Sequence, residues 1–198
     1  MNHQLKDVIQ YNNSFMSREE ANKLFEHLME YHALTRLMEM KTPDGTTFQH
    51  NFGKMMFLDK ELVEEKKFPP SVWGNNMTWS KEIIPLKKRI ENYTNNHFRT
   101  CVCIFYPDGN SGVDFHSDST AFGDTSIIPS VSLGEERLFC LRDKKTNKEN
   151  SMILKHGSLL IMDKGCQEHY EHSLPINPIY KKPRINLTFR KYGFDDQI

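Results

Sequence analysis

Apolar and polar positions follow two different rhythms along this chain. Ala21, Leu24, Phe25, Leu28 and Met29 recur at helical spacing on one stripe, behind Ser17 with Glu20 three residues later, the signature of a capping box. The spacing predicts a core-packing helix over 17–32. A second helix is predicted from Pro85, a residue suited to the first helical position, with Leu86, Ile90 and Tyr93 turned inward. The stretch 41–79 has no periodicity and carries turn signals at Pro43-Asp44-Gly45, Pro69-Pro70 and Trp73-Gly74. It reads as irregular, either poorly ordered or a functional lid. From Phe98 the rhythm changes to short strands, expected over 98–106, 127–133, 137–141, 151–154, 158–162, 169–174 and 184–190. Turn residues punctuate them at Pro107-Asp108-Gly109, Gly134, Asn147, His156-Gly157, Gly165 and Pro175. Many short strands with regular breaks predict a sandwich, a barrel or a jelly roll. The fold class is therefore α+β: a mainly β core supported by N-terminal helices.

Composition narrows the possibilities. A length of 198 residues fits one ordinary domain, long enough to bury a core unaided. With 26 basic and 26 acidic side chains the net charge is zero, which excludes the strongly basic footprint of a protein that coats nucleic acid, though not a local basic patch. No apolar run approaches the ~20 residues a membrane span needs, and residues 1–11 lack the pattern of a secretory signal. An intracellular, cytoplasmic protein is expected. Cys101, Cys103, Cys140 and Cys166 form no C-x-x-C, so they read as four reduced, buried thiols rather than a zinc site or a disulfide framework.

Candidate chemistry concentrates in the β half. In the last strand, alternation puts Ile185, Leu187 and Phe189 on one face and Arg184, Asn186, Thr188 and Arg190 on the other. That polar face is either solvated or looks into a cavity. In the second case two guanidiniums require an anion, and a dicarboxylate held by arginine forks fits. A second cluster is His116-Ser117-Asp118. Two residues apart on an extended segment, His116 and Asp118 point the same way and can share a metal. Alone, His-x-Asp is a weak signal. His169 and His172 lie three apart, face opposite sides of one strand, and offer one further ligand between them. Two imidazoles and a carboxylate on one face of a metal suit Fe(II) and leave positions open for substrate and O₂.

Taken together, His116-Ser117-Asp118, His172-Ser173-Leu174-Pro175 and Arg184-Ile185-Asn186-Leu187-Thr188-Phe189-Arg190 resemble the AlkB-like Fe(II)/2-oxoglutarate-dependent dioxygenases. The flanks Tyr106-Pro107-Asp108-Gly109 and Ser132-Leu133-Gly134, leading into Arg137-Leu138-Phe139, agree, and the likeness is specific from Phe98 to Tyr192. The resemblance implies a double-stranded β-helix (a jelly roll), with residues 1–97 as helices and substrate-recognition lid and 98–198 as the catalytic core of one compact domain. It implies His116, Asp118 and His172 as catalytic iron ligands, which leaves His169 an ordinary strand residue. It places Arg184 on the distal carboxylate of 2-oxoglutarate, Arg190 near the metal-side carboxylate and Asp118, Tyr106 on the co-substrate, and Asn186 and Thr188 in support.

The implied activity is oxidative dealkylation of N-alkylated bases in DNA or RNA, single-stranded or locally opened, by a monomer using Fe(II), 2-oxoglutarate and O₂. Trp73 is the first choice to stack on the base and Trp79 the second. Lys144, Lys145, Lys148, Lys181 and Lys182 are candidate phosphate contacts. Two positions depart from the family pattern: Ile104 stands where an Asn usually contacts the co-substrate, and Thr120 where several repair members carry an acid. The alternative is a 2-oxoglutarate-dependent hydroxylase or demethylase of a protein or small molecule, which would share every iron and co-substrate residue.

Overall fold

The structure is a computed structural model and describes residues 7–41, 44–120 and 123–194. Its twelve strands and six helices follow one another as β1 (Ile9–Asn12), α1 (Arg18–Met29), α2 (His32–Thr35), β2 (Leu37–Lys41), β3 (Thr47–Leu58), α3 (Lys60–Glu64), α4 (Pro70–Trp73), β4 (Asn75–Thr78) and α5 (Ile84–Thr94). Next come β5 (Thr100–Tyr106), β6 (Val113–His116), β7 (Ile128–Gly134), β8 (Arg137–Asp143), β9 (Glu149–Leu154), β10 (Ser158–Met162), α6 (Cys166–His169), β11 (Tyr170–Leu174) and β12 (Arg184–Arg190). The molecule is thus mainly β.

Eight strands make one sheet in the order β1-β10-β7-β12-β5-β3-β2, with β4 paired in parallel to β3, and four make a second sheet in the order β6-β11-β8-β9. The large sheet is covered on one face by helices. Ala21, Leu24 and Leu28 of α1 and Leu86 and Ile90 of α5 join Cys101, Cys103, Phe105, Val131, Leu133, Leu159, Ile185, Leu187 and Phe189 in the main core. Burying a leucine such as Leu28 contributes about 2 kcal/mol. α1 starts where the sequence predicts: Ser17 accepts from Glu20 N and Glu20 returns a bond to Ser17 N, completing the capping box. The opposite face of the large sheet meets the small sheet through Ile128, Leu160 and Met162 against Phe139, Leu141, Leu154 and Tyr170.

Three expectations are corrected. The segment 41–79 is not irregular. Within its described part β3 runs for 12 residues and pairs with β5, and β4, α3 and α4 follow. Its periodicity is hidden because β3 passes from an exposed end at Thr47 to a centre buried on both faces at Met55–Leu58. Pro43 lies outside the described residues. The first helix stops at Met29 and is followed by the separate turn α2. Tyr93 is half exposed and packs edge-on against Phe15 instead of entering the core. All four cysteines are buried and free, as expected. Among the described residues no helix is long and apolar enough to cross a membrane.

Candidate active site

β12 carries one side of the site. Its Ile185, Leu187 and Phe189 are committed to the helical layer, so Arg184, Asn186, Thr188 and Arg190 face the space between the sheets. Register places Tyr106 opposite Arg184 and Ile104 opposite Asn186. Gly134, opposite Arg184 on the other side, adopts φ +84°, and an added Cβ there would collide with the Pro183 carbonyl. The chain can therefore turn out of β7 immediately beside the arginine.

The small sheet and the segment after β6 supply a cluster able to hold a metal. β6 ends at His116, which pairs across the ladder with His172 of β11. Asp118 lies just beyond β6, where Gln167 Oε1 accepts from its backbone N–H at 2.8 Å and Ser117 Oγ donates to Tyr170 O at 3.0 Å. These bonds fasten the His-x-Asp segment to α6 and β11. One ligand atom from each of His116, Asp118 and His172 lies within 4.8 Å of the others. The imidazole centroids are 4.4 Å apart, and His172 Nε2 is 4.0 Å from Asp118 Oδ2. His116 Nδ1 lies 2.8 Å from the Asp114 carbonyl, which can only accept, so the proton belongs on Nδ1 and the Nε2 lone pair is left for a cation. Burial, with His116 and Arg190 nearby, pushes the His172 imidazole down to about 4 against the pull of Asp118, so it is neutral and ligand-ready at neutral pH. His169 is exposed at the end of α6 and takes no part.

Arg190 connects the two halves. It is buried, its Nη1 stands 3.7 Å from Asp118 Oδ1, and its Nη2 donates to the Ser119 carbonyl. Arg184, 2% exposed, donates through Nη2 to Ser132 Oγ at 2.9 Å and Asn186 Oδ1 at 3.0 Å, while its buried Nε has no hydrogen-bond partner. Asn186 Nδ2 in turn donates to Thr188 Oγ1 at 2.7 Å. The Tyr106 ring lies 5.4 Å from the Arg184 guanidinium, and burial raises its phenol above the usual range. The donor set suits a divalent iron. The orphaned Nε on a buried arginine suits an acidic ligand beside it.

The aromatic candidates separate. Trp73 lines a cavity of about 310 Å³ with Lys67, Phe68, Thr120, Tyr192 and Phe194, and Lys54 Nζ sits 5.1 Å from its ring centroid. Trp79 lies on the other face of the large sheet. It stacks on Phe189 at 6.1 Å with 3° between planes, and its Nε1 donates to Asp59 at 2.7 Å. Trp79 is therefore half-buried against the helix-side core, away from the cavity that Trp73 lines, which does not favour its expected role on substrate. Sequence reasoning passed over Tyr192, although alternation continued from Arg190 places it on the site face. It gave no role to Arg137, quoted only in a flank of the family likeness, although it is a lone charge in the row Arg137, Phe139, Leu141. Of the lysines, 144, 145 and 148 lie on an exposed turn organised by Asp143, and Lys181 and Lys182 are exposed with their backbone N–H groups held by Glu135.

Two sheets enclosing a His₂Asp cluster beside two buried arginines define an oxygenase-type site. The chain belongs to the 2OG-Fe(II) oxygenase superfamily, whose sequence profile matches residues 8–190. Within that superfamily the chain is similar to AlkB homologues. It is similar to the alpha-ketoglutarate-dependent dioxygenase alkB homolog 3 of Bos taurus, 29% identical over 189 residues that cover 89% of this chain and 63% of that one. The Mus musculus alkB homolog 3 is 37% identical over 125 residues, covering 58% and 44%. The Homo sapiens DNA oxidative demethylase ALKBH2 is 34% identical over 124 residues, covering 56% and 48%. The matched region spans about half the length of such relatives. Among solved structures, the one described as the structure of OsALKBH1 superposes with a TM-score of 0.64 at 15% identity, covering 93% of this chain and 98% of that one, a likeness of fold.

Proposed function

We propose that this chain is an Fe(II)/2-oxoglutarate-dependent dioxygenase that oxidatively dealkylates N-alkylated bases in single-stranded or locally opened nucleic acid, acting as a monomer. The observation that carries this reading is the convergence of His116, Asp118 and His172 within 4.8 Å beside Arg190, on the face that also bears Arg184. The two sheets are read as a double-stranded β-helix, with 98–198 as its catalytic core and 1–97 as helices and substrate lid within one compact domain.

Each residue has a task. His116, Asp118 and His172 would hold the iron through three protein ligands. Arg190 and Gln167 fix Asp118 in that geometry. Arg184 takes the distal carboxylate of 2-oxoglutarate, which gives its orphaned Nε a partner, while Tyr106, Asn186 and Thr188 shape the pocket around it. Ile104 offers an apolar side chain where an amide contact is usual, so more of the co-substrate affinity falls to Arg184. Trp73, on the wall of the 310 Å³ cavity that reaches Thr120, stacks on the base. When bound, Fe(II) with 2-oxoglutarate and O₂ supplies oxidation of the N-alkyl carbon, after which the base is released with an aldehyde, succinate and CO₂ as co-products. The protein's share is orientation, charge compensation and exclusion of water.

The test is a panel of N-methylated DNA and RNA oligonucleotides incubated with Fe(II) and 2-oxoglutarate, reading formaldehyde and succinate together. Equal release of both from at least one oligonucleotide is expected. Succinate turnover with no formaldehyde from any of them would move the substrate to a protein or small molecule.

A further inference from the structure

Arg137 opens β8 and is the bulkiest fully buried side chain among the described residues, at 0% exposure. Its Nη1 donates to Asp108 O at 3.2 Å, and its Nη2 donates to Ser111 O and to Pro175 O, both at 2.8 Å. Those carbonyls belong to the turn between Tyr106 and His116 and to the residue that follows β11. The guanidinium carbon lies 5.8 Å from the Tyr106 ring centroid and 5.2 Å from that of Tyr180. Tyr106 therefore has a buried guanidinium at 5.8 Å from Arg137 and another at 5.4 Å from Arg184. The hydrogen-bond partners of both arginines are neutral oxygens, and on both the buried Nε is unpartnered.

Carbonyl clamps explain the two Nη groups of Arg137, but its charge is offset only from beyond ion-pair distance, by the carboxylates of Glu135 and Asp108. A buried cation without a close counter-ion is costly, and a second one in the same compartment adds repulsion. Arg184 registers that environment: burial above all, with Arg137 as a further repulsive charge, lowers it to about 10, while Tyr106 acts in the opposite direction. Both arginines are still charged at neutral pH. An arrangement of this kind is stabilised by an anion that enters and leaves.

We propose that Arg137 is a positioning residue for co-substrate. It holds Tyr106 toward Arg184 and, with Arg184, makes the compartment around that ring a doubly cationic receptor for the far carboxylate of the 2-oxo diacid. The inference rests on reading this pocket as the 2-oxoglutarate site, and its test separates the two. Equilibrium binding is measured on Mn(II)-loaded protein with two probes: N-oxalylglycine, which keeps both carboxylates, and oxamate, which lacks the far one.

In Arg137→Met, N-oxalylglycine binding is expected to weaken roughly tenfold, the effect of removing one nearby charge in a partly polar interior, while oxamate binding changes less than twofold. Arg137→Lys, which keeps the charge but loses the planar fork, should recover part of the preference. Arg137→Gln replaces the methionine variant if that one does not fold. An unchanged ratio between the two probes in the neutral variant overturns the proposal, even if the melting temperature falls, because a purely structural role would shift stability without touching the preference. Wild-type protein that binds neither probe would overturn the co-substrate reading and this inference together.

Discussion

Replacing Arg184 with Met separates what a residue does for the empty fold from what it does for its ligand. The side chain is 2% exposed and gives up two hydrogen bonds, to Ser132 and Asn186. Each is worth about 1 kcal/mol net. Against that loss stands the relief of an unpaired buried cation, which commonly makes such replacements neutral or stabilising by about 1–4 kcal/mol. Metal-free Arg184→Met should therefore melt within a few degrees of the parent, a net change of no more than about 2 kcal/mol. Co-substrate binding has no such compensation. Losing a charge-assisted, forked contact to a carboxylate costs about 3–5 kcal/mol, a rise of roughly a hundredfold to several thousandfold in the 2-oxoglutarate requirement. Thermal unfolding of the metal-free protein and the 2-oxoglutarate dependence of succinate formation measure the two quantities independently. An unchanged requirement, or a large loss of stability that accounts for the lost turnover, would refute the reasoning.

Other outcomes are as definite. His116→Ala and Asp118→Ala should each abolish succinate formation while leaving a folded protein, and full turnover in either would remove that residue from the metal site. Trp79→Ala should lower stability by about 3 kcal/mol, because it leaves a hole beside Phe189 and removes a donor from Asp59. Its 2-oxoglutarate requirement should stay at the parent value, and a steep rise would return Trp79 to the site. The Glu20 carboxyl is held down to about 2, first by Arg89 and then by the Ser17 backbone. That stabilisation is complete above the ordinary glutamate range near 4.5 and is lost as pH falls from there toward 2. With the side chain 45% exposed, solvent screening reduces it to about 1 kcal/mol. Denaturant unfolding of wild type and Glu20→Gln should differ by that amount at pH 7 and converge near pH 2.

Legibility in the sequence tracked how cleanly one face of an element is buried. The strand 184–190 could be read residue by residue, because its apolar row enters a helical layer and its polar row faces the space between the sheets, the strictest form of period two. The strand 158–162 was equally plain as a short apolar run closed by turns, buried on both faces. β1 and β6 escaped because four residues hold too little alternation, and their pairing is decided by β10 and β11 from far along the chain. The His-x-Asp pair was visible, but its union with His172 depends on a ladder register that spacing alone does not show. Trp73 and Trp79 looked equivalent. Only tertiary packing sends the first to the cavity and the second beneath the helices. Arg137 was hidden by its type, since an arginine at a strand end is ordinarily a surface residue.

The four cysteines carry a consequence for the conditions in which such an enzyme would work. Burial raises every one of their thiols above the usual value, Cys166 to about 12, with Asp118 and Asp163 adding to the effect there. A thiol attacks electrophiles as its anion, and raising its pKa lowers the share of that anion at physiological pH. If the proposed function holds, such an enzyme would be needed most when reactive methyl donors are abundant, and it would meet them with its four thiols protonated and buried.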